Sequence, residues 1–271
     1  MPASKPRATR LALSVIVPTY NERANVAALV ERVSGVLSDK DWELIFVDDS
    51  TDGTDGLVAG LASTDGHIRL LHRDRPSGGL AGAVLEGFRM AVGVYCCVLD
   101  GDLQHPPEVI PHLLERAEAT NCDLVIASRY LPEAGAGGLD GPARLFGSLA
   151  LKWLSCAAFP RRIGGLTDPL SGFFLVRRDL ANKSHLRPLG YKILLEVLVR
   201  CQWQCVDEVS YHFQNRAGGT SKSNLRQALR FLRHLGRLTW DCSPAFAPVR
   251  FLALPWSETG RHGRGRVDTP Q

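Results

Sequence analysis

The sequence predicts an α/β protein organised as a mostly parallel, doubly wound sheet. Short apolar runs alternate with amphipathic helical segments through the first 130 residues, the pattern that parallel strand–helix–strand units impose. One run, Val94-Tyr95-Cys96-Cys97-Val98-Leu99, is apolar throughout its six residues, as a strand buried on both faces must be. It ends on Asp100-Gly101-Asp102-Leu103-Gln104, at the edge where open α/β sheets bind ligands.

The elements follow in order. Residues 13–17 read as a first strand that stops at Pro18, and Val26, Leu29, Val30, Val33 and Leu37 then keep helical spacing. Residues 43–47 form a second strand closing on Asp48-Asp49-Ser50. Thr51-Asp52-Gly53-Thr54 supplies the turn and cap of another helix. A third strand covers 68–71, and a loop containing Ser77-Gly78-Gly79 leads into a helix over 80–92. Beyond the acidic run, Pro107 opens a helix over 107–119, and a strand follows over 123–127.

After residue 130 the pattern changes. Residues 131–141, with four glycines and a proline, read as a loop. Residues 144–159 are nearly apolar all round, which fits a buried or interfacial helix. A turn over 167–172 leads to a strand over 173–176, then a helix over 191–200 and a strand over 206–211. Residues 225–238 form a helix with Arg226, Arg230, Arg233 and Arg237 on one stripe; Leu225, Leu229, Leu232 and Leu235 lie off it. Such a helix lies on a membrane surface or packs on the domain with a solvated basic face. The organisation expected is a disordered basic tail over 1–11, one domain over 12–222, the basic amphipathic helix over 223–240 and an irregular tail over 241–271.

Composition narrows the function. At 271 residues and 45% hydrophobic, the chain can bury one large core. Seven cysteines without a CxxC pair argue against a disulfide framework or a zinc site and fit a reducing, cytoplasmic setting. The first eleven residues lack the apolar stretch of a signal peptide, and no uncharged apolar run approaches the ~18 residues that span a bilayer. Residues 1–141 hold 12 Lys and Arg against 20 Asp and Glu, whereas residues 142–250 hold 17 against 6. An acidic half suits a cation and a basic half an anionic partner. The first strand-to-helix turn, Pro18-Thr19-Tyr20-Asn21-Glu22, has no glycine, which argues against a dinucleotide fold of the G-x-G-x-x-G kind. The phosphate loop, the nucleophile elbow and the H-E-x-x-H helix are also absent from the sequence.

The acidic run is the chemical centre of this reading. Side chains alternate along extended chain, so Asp100 and Asp102 are expected on one side of the strand end. With the amide oxygen of Gln104, they form a hard oxygen set that suits Mg2+ or Mn2+ shared with a diphosphate. Gly101 leaves room for a ligand to approach the backbone. A bare Asp-x-Asp is also compatible with a plain acidic turn.

The motifs together resemble the family 2 glycosyltransferases of the GT-A fold, a Rossmann-like nucleotide-sugar-binding fold. Val17-Pro18-Thr19-Tyr20-Asn21-Glu22, Val47-Asp48-Asp49-Ser50 and Asp52-Gly53-Thr54 carry that likeness. Asp100 through Glu108, Ser128-Arg129-Tyr130, Asp168 through Phe174 and Gly190-Tyr191-Lys192 make it similar to the polyprenyl (dolichyl) phosphate mannosyltransferases. The likeness runs from about residue 12 to about residue 225. It implies a metal-dependent, inverting transfer of mannose from GDP-mannose to a polyprenyl phosphate, with catalysis resting on Asp102, Arg129 and Arg144. It also implies that Pro18, Tyr20, Glu22, Val47 and Asp49 hold the nucleoside, and that Asp100, Asp102 and Gln104, around Gly101, hold the metal. Arg129 and Arg144 would receive the acceptor phosphate; Lys192, Arg216 and Lys222 would close over the donor. A polyprenyl phosphate glucosyltransferase using UDP-glucose, a relative with a hydroxyl acceptor, and a nucleotide-sugar-binding protein without turnover are the alternatives. The middle position of the acidic run, Gly101, is often Ala in relatives. Many relatives also continue into transmembrane helices, whereas residues 248–256 are too short to span. The expectation is a peripheral protein at the cytoplasmic face of a membrane, with room for a separate membrane-anchoring subunit and with no nucleic-acid partner.

Overall fold

The computed structural model describes residues 11–132, 142–187, 190–214, 225–242 and 250–251. Among these residues eight strands form one sheet: β1 (Leu13–Thr19), β2 (Trp42–Asp48), β3 (Ile68–His72), β4 (Tyr95–Val98), β5 (Leu124–Ser128), β6 (Phe174–Arg177), β7 (Cys205–Ser210) and β8 (Arg250–Phe251). Their order is β3-β2-β1-β4-β6-β5-β7-β8. All neighbouring pairs are parallel except those of β6, which runs antiparallel between β4 and β5. The chain winds outward from β1 to β3 and then crosses to β4 on the other side of β1. That reversal opens a crevice at the carboxyl ends of β1 and β4, the position such folds use for ligands.

Nine helices among the described residues cover the sheet: α1 (Arg23–Val36), α2 (Thr54–Thr64), α3 (Gly79–Met90), α4 (Ile110–Thr120), α5 (Pro142–Ala158), α6 (Pro160–Ile163), α7 (Arg178–Lys183), α8 (Ile193–Arg200) and α9 (Leu225–Asp241). Two hydrophobic clusters follow from the two-residue period of the strands. Leu13, Val15, Val17, Phe46, Cys97 and Leu175 face α1, α2 and α4. Ile16, Ile45, Cys96, Val98, Ile126 and Phe174 face α3, α8 and α9. Every residue of β1, β2, β4 and β5 is buried, which is why their sequence reads as continuous rather than alternating apolar runs. Each such Val, Leu, Ile or Phe contributes about 1.5–3 kcal/mol through burial.

Several expectations shift. β1 continues through Pro18 to Thr19, since a proline near a strand end costs the ladder little. The helix expected from residue 107 begins with a 3₁₀ turn, Pro107–Val109. The apolar helix α5 is not buried all round: Trp153 is 72% and Leu154 42% exposed. α9 belongs to the domain and is not an appendage, because Phe231, His234, Leu235 and Leu238 are buried. Its outward side carries Leu229 and Leu232 with Arg230 and Arg233, so these two leucines are exposed alongside the arginines. Buried Glu196 of α8 accepts hydrogen bonds from His234 of α9 at 2.6 Å and from Arg200 at 2.6 Å, which fastens the two helices together. The tail expected to be irregular supplies β8, which extends the sheet beside β7. Cys205 pairs with Cys122 in a disulfide across 83 residues, a single link and not the framework that the cysteine count argued against. Sequence spacing offers no sign of that pairing, because the adjacency of β5 and β7 creates it.

Candidate active site

The carboxyl end of β1 and that of β2 are tied by a buried carboxylate. Asp48 accepts hydrogen bonds from Thr19 Oγ1 at 2.6 Å, Ser50 Oγ at 2.5 Å and the Ser50 N–H at 3.2 Å, and pairs with His72 Nδ1 at 2.8 Å. Burial on this scale demands such partners. The neighbouring Asp49 turns the other way. Arg73, just past β3, donates from Nε to Asp49 Oδ1 at 2.7 Å and from Nη2 to Oδ2 at 2.5 Å. The same guanidinium reaches the carbonyls of Ser77 and Gly79 at 3.1 and 3.2 Å, holding the loop that enters α3. Asn21, in left-handed conformation at φ 59°, links the first turn to the second through Ser50 Oγ at 2.8 Å and the Thr51 N–H at 3.0 Å. Tyr20 is 52% exposed at the rim, and Glu22 accepts from Asn25 Nδ2 at 2.7 Å. Pro18 and Val47 are buried in their strands. The Val47 side chain packs in the hydrophobic cluster that includes Ala81 and Val84 of α3.

The acidic run behaves differently from the strand extension expected of it. β4 stops at Val98, and Leu103 adopts φ 63°, a conformation a leucine takes only when its surroundings impose it. A tight turn, not strand alternation, therefore sets Asp100 and Asp102. Asp102 is buried and accepts the Gln104 N–H at 3.1 Å. Gln104 donates through Nε2 to the Gln214 carbonyl at 3.4 Å, and its own carbonyl accepts the Gln214 N–H at 3.0 Å, which ties the turn to the chain leaving β7. His105 accepts the Asp100 N–H through Nδ1 at 3.1 Å among the rings of Phe173, Tyr211 and Phe213. Burial pushes its imidazole down to about 4, so it stays neutral. Two glycines shape the turn. A Cβ on Gly172 would sit 3.0 Å from His105 and 3.3 Å from Asp100 Oδ2, and one on Gly101 would sit 3.2 Å from Thr19 Cγ2. Two carboxylates and an amide oxygen around this tight turn fit a hard divalent cation such as Mg2+ or Mn2+.

The basic side of the site lies at the ends of β5 and β6. Arg129, the residue after β5, donates to Asp168 from Nε at 2.7 Å and Nη2 at 3.0 Å. Burial opposes its charge, but Asp168 more than restores it and raises the guanidinium above its ordinary value. Lys192, before α8, donates to the Leu170 carbonyl at 2.7 Å. Burial and then Arg129 push it down to about 8, against the pull of Asp168 and Asp100. Arg129, Lys192, Asp168 and Asp100 thus share one field. Of the residues named from the sequence, Asp100, Asp102, Gln104, Arg129 and Lys192 lie together at this edge of the sheet. The side chain of Arg144 at the start of α5, and all of Arg216 and Lys222, lie outside the described residues. Arg73, Asp168 and Glu208 are the members that sequence reasoning left without a role. Asp168 sits in a quoted motif, yet nothing local reveals its partner 39 residues away.

A family model described as glycosyl transferase family 2 matches residues 14–183, and the chain belongs to that family, with the GT-A fold. It is 36% identical over 230 residues to a dolichol-phosphate mannosyltransferase of Pyrococcus furiosus, covering 84% of this chain and 64% of that protein. It is 33% identical over 237 residues to the dolichol-phosphate mannosyltransferase of Saccharomyces cerevisiae, covering 83% and 86%. Its fold is similar to glucosyl-3-phosphoglycerate synthase from Mycobacterium tuberculosis, solved with Mn2+, UDP-glucose and phosphoglyceric acid. That match has a TM-score of 0.59 at 22% identity, over 85% of this chain and 79% of that one.

Proposed function

We propose that this protein transfers mannose from GDP-mannose to a polyprenyl (dolichyl) phosphate, with inversion, giving polyprenyl phosphate β-mannose. The observation that carries the reading is the meeting of an acidic turn, Asp100 to Gln104, with two half-buried cations, Arg129 and Lys192, at one sheet edge. Such a pairing suits a reaction in which both donor and acceptor are phosphates. The mannosyl relatives at 36% and 33% identity support the sugar and the lipid.

Asp49, Tyr20 and Glu22 would line the nucleoside, with Asp49 held by Arg73 as an acceptor for the base edge. A divalent cation, Mg2+ or Mn2+, held by Asp100, Asp102 and the Gln104 amide oxygen, would neutralise charge on the diphosphate as it leaves. Lys192, with Arg216 and Lys222, would hold the donor phosphates. Arg129 and Arg144 would receive the acceptor phosphate. A phosphate monoester has its second pKa near 6, so the attacking oxygen is largely an anion at neutral pH. It needs orientation more than deprotonation, which accounts for arginines where a hydroxyl acceptor would call for a general base. Attack on the anomeric carbon from the side opposite the diphosphate gives inversion.

The acceptor's lipid brings the protein to a membrane surface. No helix among the described residues is long and apolar enough to cross a membrane. Exposed Trp153, Leu154, Leu229, Leu232 and Trp240, with Arg230 and Arg233, instead offer an interfacial face of mixed apolar and basic character. Incubation with radiolabelled GDP-mannose, or UDP-glucose, and short polyprenyl phosphates tests the reading. Labelled lipid from GDP-mannose alone is expected; transfer from UDP-glucose in its place would overturn the sugar assignment.

A further inference from the structure

Arg129 does not stand alone at the acceptor side. Both of its bonds go to Asp168, whose side chain is 1% exposed. Asp168 is held in turn by its own backbone. Glu208 of β7 accepts the Thr167 N–H at 3.0 and 2.8 Å on its two oxygens, Thr167 Oγ1 at 3.0 Å and the Asp168 N–H at 3.0 Å. Thr167 Oγ1 also lies 2.5 Å from Ser128 Oγ, at the end of the strand that delivers Arg129. Glu208 is paired in register with Ile126, two residues below that strand end. It is therefore set beneath the site, not in it.

We propose that Glu208 is a positioning residue: it clamps the Thr167–Asp168 turn so that Asp168 aims the Arg129 guanidinium at the acceptor phosphate. The inference rests on the reading that Arg129 receives that phosphate. The physical reason is the shape of the guanidinium. Its fork gives directed bonds only when its plane is fixed. With Nε and one Nη2 hydrogen committed to Asp168, the remaining donors keep one direction. A second carboxylate, Glu208, lies beneath the site, close to Asp168. Burial raises the Glu208 carboxyl, with Asp168 adding to the rise, while the Thr167 and Asp168 N–H groups oppose it. Two carboxylates this close are a cost that plain packing would avoid. The N–H and hydroxyl bonds to Glu208 offset it and leave a turn with a single geometry.

A double-mutant cycle tests this. Glu208→Gln keeps the volume but replaces one accepting oxygen with a donor facing other donors, which should loosen the turn. The Michaelis constant for polyprenyl phosphate is expected to rise five- to tenfold, with the constant for GDP-mannose and GDP binding by calorimetry unchanged. In an Arg129→Gln background the same change should add nothing. If Glu208→Gln does not fold, Thr167→Val and Asp168→Asn replace it in the same cycle. An unaltered acceptor constant, additive effects of the two substitutions, or loss of GDP binding alongside acceptor binding would each overturn the inference. If Arg129→Gln alone leaves the acceptor constant unchanged, the acceptor reading itself falls and the inference falls with it. If Arg129→Gln raises that constant and Glu208→Gln does not, only the inference falls.

Discussion

Arg73 holds Asp49 through two bonds, Nε to Oδ1 at 2.7 Å and Nη2 to Oδ2 at 2.5 Å, with both side chains about one-tenth exposed. The pair converts a flexible strand-end carboxylate into a fixed acceptor. It also joins the β2 terminus to the loop that enters α3 through the Ser77 and Gly79 carbonyls. Under the proposed function, a nucleobase edge would meet Asp49 on the lone pairs that Arg73 leaves, in one orientation.

Removing this partner should weaken the donor and spare the chemistry. A hydrogen bond to a charged group contributes about 1.5–3 kcal/mol, so Arg73→Gln is expected to weaken GDP binding about tenfold or more. Calorimetry with GDP and steady-state kinetics in GDP-mannose would show it as a raised donor constant with a smaller change in kcat. Unchanged GDP affinity would mean that Asp49 does not serve the base.

Asp102→Asn should abolish transfer while the protein stays folded. The residue is buried at the tight turn and bonded to the Gln104 N–H, and loss of metal-linked charge stabilisation costs several kcal/mol in the barrier. Initial rates with saturating Mn2+, alongside circular dichroism, check this. Near-normal activity would remove the metal assignment.

Lys192 is expected to set an alkaline limb. Burial and Arg129 push its amine down to about 8, so the charge proposed to hold a donor phosphate is present below that pH and lost as pH rises through it. In the free enzyme, kcat/KM should therefore fall above about pH 8. Lys192→Arg keeps a cation at every accessible pH and should move the limb upward, even if activity drops. An alkaline limb that stays in place in Lys192→Arg would exclude Lys192 as its source.

The interfacial face should bind anionic liposomes with two separable components. Each basic residue near an anionic surface contributes about 1 kcal/mol and fades within a Debye length. Arg230, Arg233 and Arg237 changed to Gln should lower sedimentation at low salt, and salt should release much of the wild type. Trp153→Ala with Trp240→Ala, at side chains 72% and 87% exposed, should lower the remainder that persists at high salt. Transfer to a detergent-dispersed acceptor should survive both sets. Binding that ignores both sets would place the contact elsewhere on the protein.

Much of this protein was legible in the chain itself. Two-residue and 3.6-residue periods mark strands and helices because each element must hide one face, so the layers of β1 to β4 and α1 to α4 could be read in order. The acidic turn after β4 was equally plain, since paired carboxylates at a strand end stand out against an apolar run. Relations between distant residues were decided only by tertiary structure. The antiparallel β6 between β4 and β5, the disulfide of Cys122 with Cys205, and the outward turn of Trp153 and Leu229 depend on which element lies beside which. Asp49 looked free to serve a ligand until Arg73, 24 residues on, proved to hold it. Asp168 belongs to a recognisable motif and Glu208 to none, but in neither case does the local sequence show the partner, because the bonds that give them their roles cross 39 to 41 residues. A sequence period reports how one element meets solvent and core. The partners of a buried charge are set by the packing of whole layers, and no short stretch of chain contains that information.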